Sequence, residues 1–358
     1  MDQRIVRRRA GRLPAARVAC AVVLATLGAA ALSARPLTAA DENYHLLKKV
    51  VLGGEGFWDY LICDSAARRV YISRGPHVMV VDADSYAVVG DIPGTDGVHG
   101  IALAPEFGRG FTSNGRANAV TIFDLKTLKV LGTVPTGDGP DAIVYDPASK
   151  RVFTLNGHGG DATAIDAASG KPAGTVPLGG KPEFAAADGQ GHIYNNLEDK
   201  SELLQIDSQK LTVTARWPLA PCEEPSGLAI DIKHRRLFVG CHNQMMAVVD
   251  ADSGKVLATP AIGEGVDANA FDPGTQLAFS SNGDGTLTVV HEDSPEKFSP
   301  VASVPTERGA RTMALDLKTH HIFLVTAAFG PPPAATPDHP HPRPTAIPGT
   351  FTLLVFGR

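Results

Sequence analysis

Residues 140–180 read PDAIVYDPASKRVFTLNGHGGDATAIDAASGKPAGTVPLGG. Four mostly apolar or β-branched runs, 142–145, 151–156, 162–166 and 171–177, are separated by clusters of Asp, Asn, Ser, Gly and Pro, which are typical of turns. The stretch therefore predicts a sheet of four short strands in succession. Because one such sheet cannot bury both of its faces, it needs neighbours of the same kind.

The same four-strand pattern recurs along the chain at intervals of 40 to 44 residues. An aromatic residue marks the second strand of each unit: Tyr71, Phe111, Phe153, Tyr194, Phe238, Phe279 and Phe323. The end of the third strand gives a second marker with the same period: Asp82, Asp124, Asp166, Asp207, Asp250 and His291. Four strands per unit at this period predict an all-β fold, a seven-bladed β-propeller in which neighbouring blades cover each other's faces.

The last unit is one strand short at the C-terminus. Residues 45–53, HLLKKVVLG, resemble the outermost strand of the third unit, residues 174–179, GTVPLG. We therefore expect the N-terminal strand to complete blade seven and close the ring, which removes an exposed sheet edge. The same blade carries an insertion at residues 329–349 with eight prolines, which predicts an extended loop.

The first forty residues have a basic head, an apolar run from Val18 to Leu32 and a small-residue segment before Asp41. This layout is typical of a secretory signal peptide, by the general or the twin-arginine route, with residues 41–358 forming one domain. We expect a periplasmic or secreted protein that is not held in a membrane. Setting aside the seven Arg and one Asp of residues 1–40 leaves 26 basic and 37 acidic residues, a net charge of −11. Nucleic acid is therefore not an expected partner, and we expect a monomer.

The repeats at 151–156 (RVFTLN) and 236–240 (RLFVG), with the hairpin at 249–256 (VDADSGKV), resemble the YVTN-type β-propeller-repeat family of YncE-like exported proteins. The resemblance covers essentially all of residues 41–358. It implies a seven-bladed propeller, commonly exported, and assigns no reaction because these motifs consist of packing and turn residues.

Polar residues that vary from unit to unit are predicted at one end of the central channel, here called the mouth. The inner ring, at the start of each first strand, comprises Asp59, His99, Asp141, Glu183, Ser226, Asp267 and Arg311. An outer ring, from the loops after each second strand, comprises Arg74, Asn114, Asn156, His158, Asn196, Glu198, His242, Asn243 and Asn282. Where carboxylates and imidazoles converge, their pKa values are pushed apart, which suits acid–base chemistry or the binding of a cation.

A divalent metal is one possible cofactor, with His99, His158, His242 and Glu183 as candidate ligands, although scattered single residues carry no spacing signature. Cys222 and Cys241 fall on neighbouring strand ends of blade five, which predicts a disulfide in an oxidising compartment. The repeated Asp residues of the third strand lie at the opposite end and are expected to cap turns.

The primary hypothesis is an exported protein that binds a small polar or charged ligand at the mouth, with or without a metal. A second hypothesis is a lyase or lactone hydrolase, in which His99 or His242 acts as general base. Asp141, Glu183 or Asp267 would orient that base or bind metal, and Arg74 and Arg311 would hold a substrate carboxylate. A third hypothesis is a protein-interaction scaffold. Whether there is turnover stays open at this point.

Overall fold

The computed structural model describes residues 44–54, 56–333 and 344–358. The predicted signal peptide, and His339 and His341 of the Pro-rich loop, lie outside the described residues. The strands of the first half are β1 (His45–Val51), β2 (Leu61–Asp64), β3 (Arg69–Asp82), β4 (Val88–Ala104), β5 (Arg109–Asn114), β6 (Ala119–Asp124), β7 (Val130–Pro135), β8 (Pro140–Asp146), β9 (Arg151–Asn156), β10 (Asp161–Asp166), β11 (Pro172–Pro177), β12 (Pro182–Ala187) and β13 (His192–Leu197).

The strands of the second half are β14 (Glu202–Asp207), β15 (Thr212–Pro218), β16 (Pro225–Asp231), β17 (Arg236–Cys241), β18 (Met245–Asp250), β19 (Val256–Ala258), β20 (Val266–Asp272), β21 (Leu277–Asn282), β22 (Thr286–Ser294), β23 (Lys297–Pro305), β24 (Met313–Asp316), β25 (His321–Thr326) and β26 (Thr352–Gly357). Two short 3-10 helices, Pro105–Phe107 and Glu198–Lys200, follow β4 and β13. Within the described ranges, no helix has the length and apolar character needed to cross a bilayer.

The strands pair antiparallel into six sheets among the described residues. Five have four strands: β8 to β11, β12 to β15, β16 to β19, β20 to β23, and β24 to β26 with β1. The sixth has six strands, β2 to β7. The predicted β-propeller is therefore confirmed, but the prediction of seven blades is wrong in its count, since the described residues form six sheets. The long strands β3 and β4 run without interruption through the boundary between the first two repeats, where Gly75 pairs with Val98.

The sheets surround a central axis, as in a β-propeller. Their innermost strands contact one another in a closed circuit through β2, β4, β8, β12, β16, β20 and β24. Apolar side chains fill the space between neighbouring sheets; one such cluster joins Phe111 and Ile122 to Val152 and Ile165. Because both faces of the middle strands are covered, β9 and β10 are buried almost throughout, whereas the outer strand β15 alternates between exposed and half-buried.

The predicted ring closure is confirmed. β1 pairs with β26 in the order β1, β26, β25, β24, from His45 opposite Gly357 to Val51 opposite Thr352. The buried Tyr44 continues this closure, since its hydroxyl donates a hydrogen bond to the His320 carbonyl at 2.9 Å. The first strand of the domain, β1, is therefore the outer strand of its last sheet.

The repeated Asp residues of the third strands cap turns, as predicted. In the hairpin after β10, the Asp166 carboxylate accepts hydrogen bonds from the Ser169 backbone N–H at 2.7 Å and from its hydroxyl at 2.6 Å. The same arrangement recurs at Asp82, Asp124 and Asp250. His291 differs, because its Nδ1 lies 2.7 Å from the Asp293 carboxylate instead.

The predicted disulfide between Cys222 and Cys241 is confirmed. It joins the approach to β16 with the end of β17, two positions separated by 19 residues in sequence. We expect Cys222→Ser with Cys241→Ser to lower the free energy of unfolding by about 3 kcal/mol, because the bridge restricts the unfolded chain. Urea unfolding with and without reductant measures this loss. Cys63→Ser, at the free cysteine of the described chain, is the matched control; an equal loss in the control would contradict the assignment.

Candidate functional site

Hydroxyls at the ends of the second strands anchor the backbone of the mouth. Ser113 donates a hydrogen bond to the Asp141 carbonyl and Ser281 donates one to the Arg311 carbonyl. Nearby, the Asp59 backbone N–H donates to the Ser73 hydroxyl at 2.9 Å. The mouth side chains therefore project from a backbone that is fixed at several points around the channel.

His99 lies between two carboxylates at the mouth. Its Nδ1 is 2.6 Å from an oxygen of Asp59 and 3.6 Å from an oxygen of Asp141. Each of the three residues offers a ligand atom within 4.8 Å of the others. Burial lowers the pKa of His99, but the hydrogen bond with Asp59 and the charges of Asp141, Asp59 and Glu183 raise it above its usual value overall.

Burial raises the pKa of two further carboxyls at the mouth. That of Asp141 rises to about 6, with the charge of Asp59 adding to the effect of burial. That of Glu183 rises to about 8, through burial and then the charge of Asp141, although Lys181 Nζ lies 3.0 Å away. The ammonium of Lys181 is shared with Glu198, so it offsets only part of this negative charge.

Asp267 and Arg311 form the other side of the ring. Arg311 Nε is 3.2 Å from Asp267 Oδ2, and the Ser226 hydroxyl is 3.3 Å from Asp267 Oδ1. Burial raises the pKa of Asp267 to about 6 despite this guanidinium. The pKa of Arg311 is raised, first by Asp267 and also by the charges of Asp59 and Glu183. The predicted convergence of the inner ring is therefore observed.

Sequence reasoning missed Tyr60. Its ring stacks on Phe184, with centroids 4.4 Å apart, and burial together with the charges of Asp141, Glu183, Asp59 and Asp267 raises the pKa of its hydroxyl well above the usual value. The Tyr60 hydroxyl is therefore subject to the charges of four carboxylates that come from different sheets. The position of Tyr60 directly after Asp59, one residue deeper into the channel, is the sequence signal that could have identified it.

Four asparagines of the predicted outer ring belong to the framework instead. Asn156 illustrates the arrangement, since its amide donates to the Thr163 hydroxyl at 2.9 Å and its carbonyl accepts from the Thr154 hydroxyl at 3.0 Å. Such amides are at most 1% exposed and tie neighbouring strands or sheets: Asn114, Asn156, Asn196 and Asn282. Their assignment as ligand contacts is corrected, because these side chains have no surface to offer a ligand.

Arg74 also has contacts within the framework. Its guanidinium is buried, donates to the Gly56 carbonyl at 2.9 Å and lies over the Phe351 ring at 3.7 Å from the centroid. Burial lowers its pKa to about 10. Because these contacts engage the guanidinium within the fold, Arg74 supports the wall of the mouth, and it also lines, with Arg311, the cavity described next.

A cavity of about 1200 Å³ adjoins the ring. Its walls are mostly apolar, with Phe57, Trp58, Phe329 and Phe351 among them, and Arg311 lies at its boundary with the ring. Phe57 also approaches the His99 ring, with centroids 6.3 Å apart. A small organic molecule could therefore lie in this cavity and reach the charged ring.

The other outer-ring residues lie nearer the surface. His158 is exposed and packs close to Gly139. His242 is 3.2 Å from the exposed Glu224 carboxylate. Asn243 fixes the neighbouring loop by donating to the Pro221 carbonyl at 2.8 Å. None of them, and neither Glu183 nor Glu198, joins the His99 group of potential metal ligands in the described part of the chain.

No family model and no curated protein matches the chain. Solved structures do match in fold. A chain of a structure titled as the mitotic checkpoint complex has a TM-score of 0.71 at 14% identity, covering 94% of this chain and 99% of that one. The structure of U3-55K has a TM-score of 0.69 at 10% identity, with 88% and 98% covered. Hydrazine synthase of Kuenenia stuttgartiensis has a TM-score of 0.62 at 15% identity, with 74% and 91% covered. These similarities establish the β-propeller fold alone.

Proposed function

We propose that this propeller binds a divalent cation at Asp59, His99 and Asp141, and through it a small polar ligand at the mouth. The observation that carries the proposal is the position of His99 Nδ1 between two carboxylates, 2.6 and 3.6 Å away. Imidazole nitrogen with carboxylate oxygen is a donor set that suits zinc and similar ions.

The charge balance of the mouth supports a cationic occupant. Asp59, Asp141, Glu183 and Asp267 face a shared space, and their negative charge is only partly balanced by Arg311 and Lys181. Raised carboxyl pKa values are the expected sign of uncompensated buried negative charge. A bound cation would offset this negative charge.

Calorimetric titration of the chelator-treated protein with Zn²⁺ tests the proposal. We expect His99→Ala to weaken binding at the mouth about 100-fold, since it removes the only nitrogen ligand of this donor set. Binding should also release protons and strengthen with rising pH, because imidazole must lose its proton to ligate a metal.

The matched control is His77→Ala. His77 Nδ1 also contacts a carboxylate, that of Asp91, but the pair lies on the surface, where the Asp91 side chain is 54% exposed. The control should keep the affinity of the unmodified protein. If His99→Ala bound Zn²⁺ as tightly as His77→Ala does, the cation site at His99 would be ruled out.

A second candidate function is acid–base catalysis at the same ring. It is favoured by the 2.6 Å contact between Asp59 and His99, which would orient an imidazole base, and by the cavity beside it. In this version a lyase or lactone hydrolase would hold its substrate in the cavity, with Arg311 near a substrate carboxylate. Consumption of a bound ligand during incubation would favour catalysis over binding.

We further propose an exported protein. The disulfide between Cys222 and Cys241 supports this proposal, because such bonds persist in oxidising compartments. An interaction scaffold stays the alternative if no cation or ligand binds; among the matched structures, one title names a mitotic checkpoint complex, but at 14% identity that likeness concerns fold only.

We also propose that the six-stranded sheet acts as two blades. Its two halves pack against each other through Tyr71 and Phe123, with ring centroids 5.8 Å apart. Asp59 precedes one half and His99 lies in the other. On this proposal seven sectors surround the mouth, and the metal ligands come from three successive sectors.

A further inference from the structure

The far end of the propeller holds a second group of potential ligands, between the sheet of β16 to β19 and the sheet of β20 to β23. His234 Nδ1 lies 2.7 Å from Asp231 Oδ2 and 3.0 Å from Glu292 Oε1. Asp231 and Glu292 are buried, and the His234 side chain is 19% exposed. The group is thus enclosed on the protein side and open to solvent only at the imidazole.

Glu292 occupies a position at which the other repeats carry no acid. In six repeats the residue that follows the repeated Asp, or follows His291 in the sixth repeat, makes the same backbone hydrogen bond. Its N–H donates to a carbonyl in the turn between the first and second strands: Ala83, Leu125, Ala167, Ser208, Ala251 and Glu292. All of these except Glu292 have an apolar side chain or, at Ser208, a hydroxyl group. The backbone of Glu292 therefore follows the shared framework, and only its side chain departs from it.

The partner of Asp231 is also exceptional. Equivalent Asp residues in other repeats receive a donor from the adjacent sheet: Asp146 from the Ser208 hydroxyl, Asp188 from Arg235, Asp272 from His320 and Asp316 from Arg68. Asp231 instead lies beside the carboxyl of Glu292 in the adjacent sheet, with ligand atoms of the two side chains within 4.8 Å of each other. Two buried acids in contact repel each other unless a proton or a cation lies between them.

One oxygen of Glu292 is an independent sign of a missing partner. Oε1 faces His234, whereas Oε2 is buried and accepts no hydrogen bond from the described residues. A buried carboxylate oxygen without a donor is expensive, so an occupant of this position would stabilise the fold.

We infer that Asp231, His234 and Glu292 form a structural binding site for a divalent cation of the zinc class, which clamps the fifth and sixth repeats together. Ligand atoms around Zn²⁺ at 2.0–2.2 Å lie roughly 3.0–3.5 Å apart, so the separations of 2.7 and 3.0 Å need only a small opening. The partly exposed imidazole provides the entry path, and water would complete the coordination.

The test is a Zn²⁺ titration of the purified, chelator-treated protein against a chromophoric competitor, with thermal unfolding in parallel. We expect Glu292→Gln to remove one equivalent of bound zinc, while the exposed Glu296→Gln keeps it. In His99→Ala, saturating zinc should still raise the Tm by about 5 °C. When Glu292→Gln is combined with His99→Ala, that rise should be absent, even though the near-ultraviolet circular dichroism of the metal-free double variant matches that of His99→Ala.

His234→Gln provides a second variant in case Glu292→Gln fails to fold. It should lose the same equivalent of zinc. Unchanged zinc stoichiometry and an unchanged Tm rise in either folded variant would overturn the inference. A metal-free Glu292→Gln protein that is more stable than the unmodified one, with no variant altering zinc binding, would overturn it in favour of a proton shared by the two carboxyls.

Discussion

A chain that begins at Gly54, and so lacks β1, is expected to lose about 6 kcal/mol of its free energy of unfolding, which is on the order of the whole stability of a domain. Six residue pairs between β1 and β26 would be lost. So would the buried Tyr44, whose ring meets the edge of Phe279 with centroids 5.0 Å apart. Thermal and urea unfolding measure the loss.

The control is a chain that begins at Asp41, which keeps Tyr44 and β1 and should unfold like the full protein. The shorter chain should also associate, because the fully buried strand β26 would present an unpaired edge, and light scattering would detect this. An unchanged melting temperature for the chain that begins at Gly54 would show that β1 adds nothing to the stability of the ring.

The architecture was largely predictable because its signals repeat. The aromatic of the second strand and the Asp at the end of the third strand recur with one period, and each has a local physical role in packing or in a turn. The count of sheets was not predictable in this way. Whether the strands around Gly75 and Val98 stay separate or join into one sheet depends on hydrogen bonds between residues distant in sequence.

The site was predictable in outline for the same reason. Alignment of the first strands placed Asp59, His99 and Asp141 at equivalent positions, and equivalent positions on a ring converge. The roles of the second-strand asparagines were not predictable. An Asn-Gly pair such as Asn156-Gly157 has the same sequence whether the Asn side chain faces solvent or a buried Thr. Glu292 escaped notice because its neighbour His291 was the residue that broke the pattern, and only burial shows which of the two matters.

Replacing both Asp141 by Asn and Glu183 by Gln is expected to stabilise the metal-free protein by about 4 kcal/mol at pH 9 and to have little effect at pH 4. Both carboxyls have raised pKa values in the folded protein, to about 6 and about 8. Folding therefore favours their protonated forms, and stability present at low pH is lost as pH rises through those values. Urea unfolding across this pH range, with chelator present, measures the difference.

Asp166→Asn is the control with the opposite sign. Hydrogen bonds from Ser169 lower the pKa of Asp166, so its carboxylate contributes stability at high pH that disappears as pH falls through the folded-state value. This variant should therefore have a lower free energy of unfolding than the unmodified protein at pH 9. If the double variant at the mouth behaved in the same direction, Asp141 and Glu183 would be carboxylates that the fold already satisfies, and the case for a cation at the mouth would lose its electrostatic basis. If the double variant is more stable at high pH, the mouth retains uncompensated charge, as expected of a site kept for a positively charged occupant.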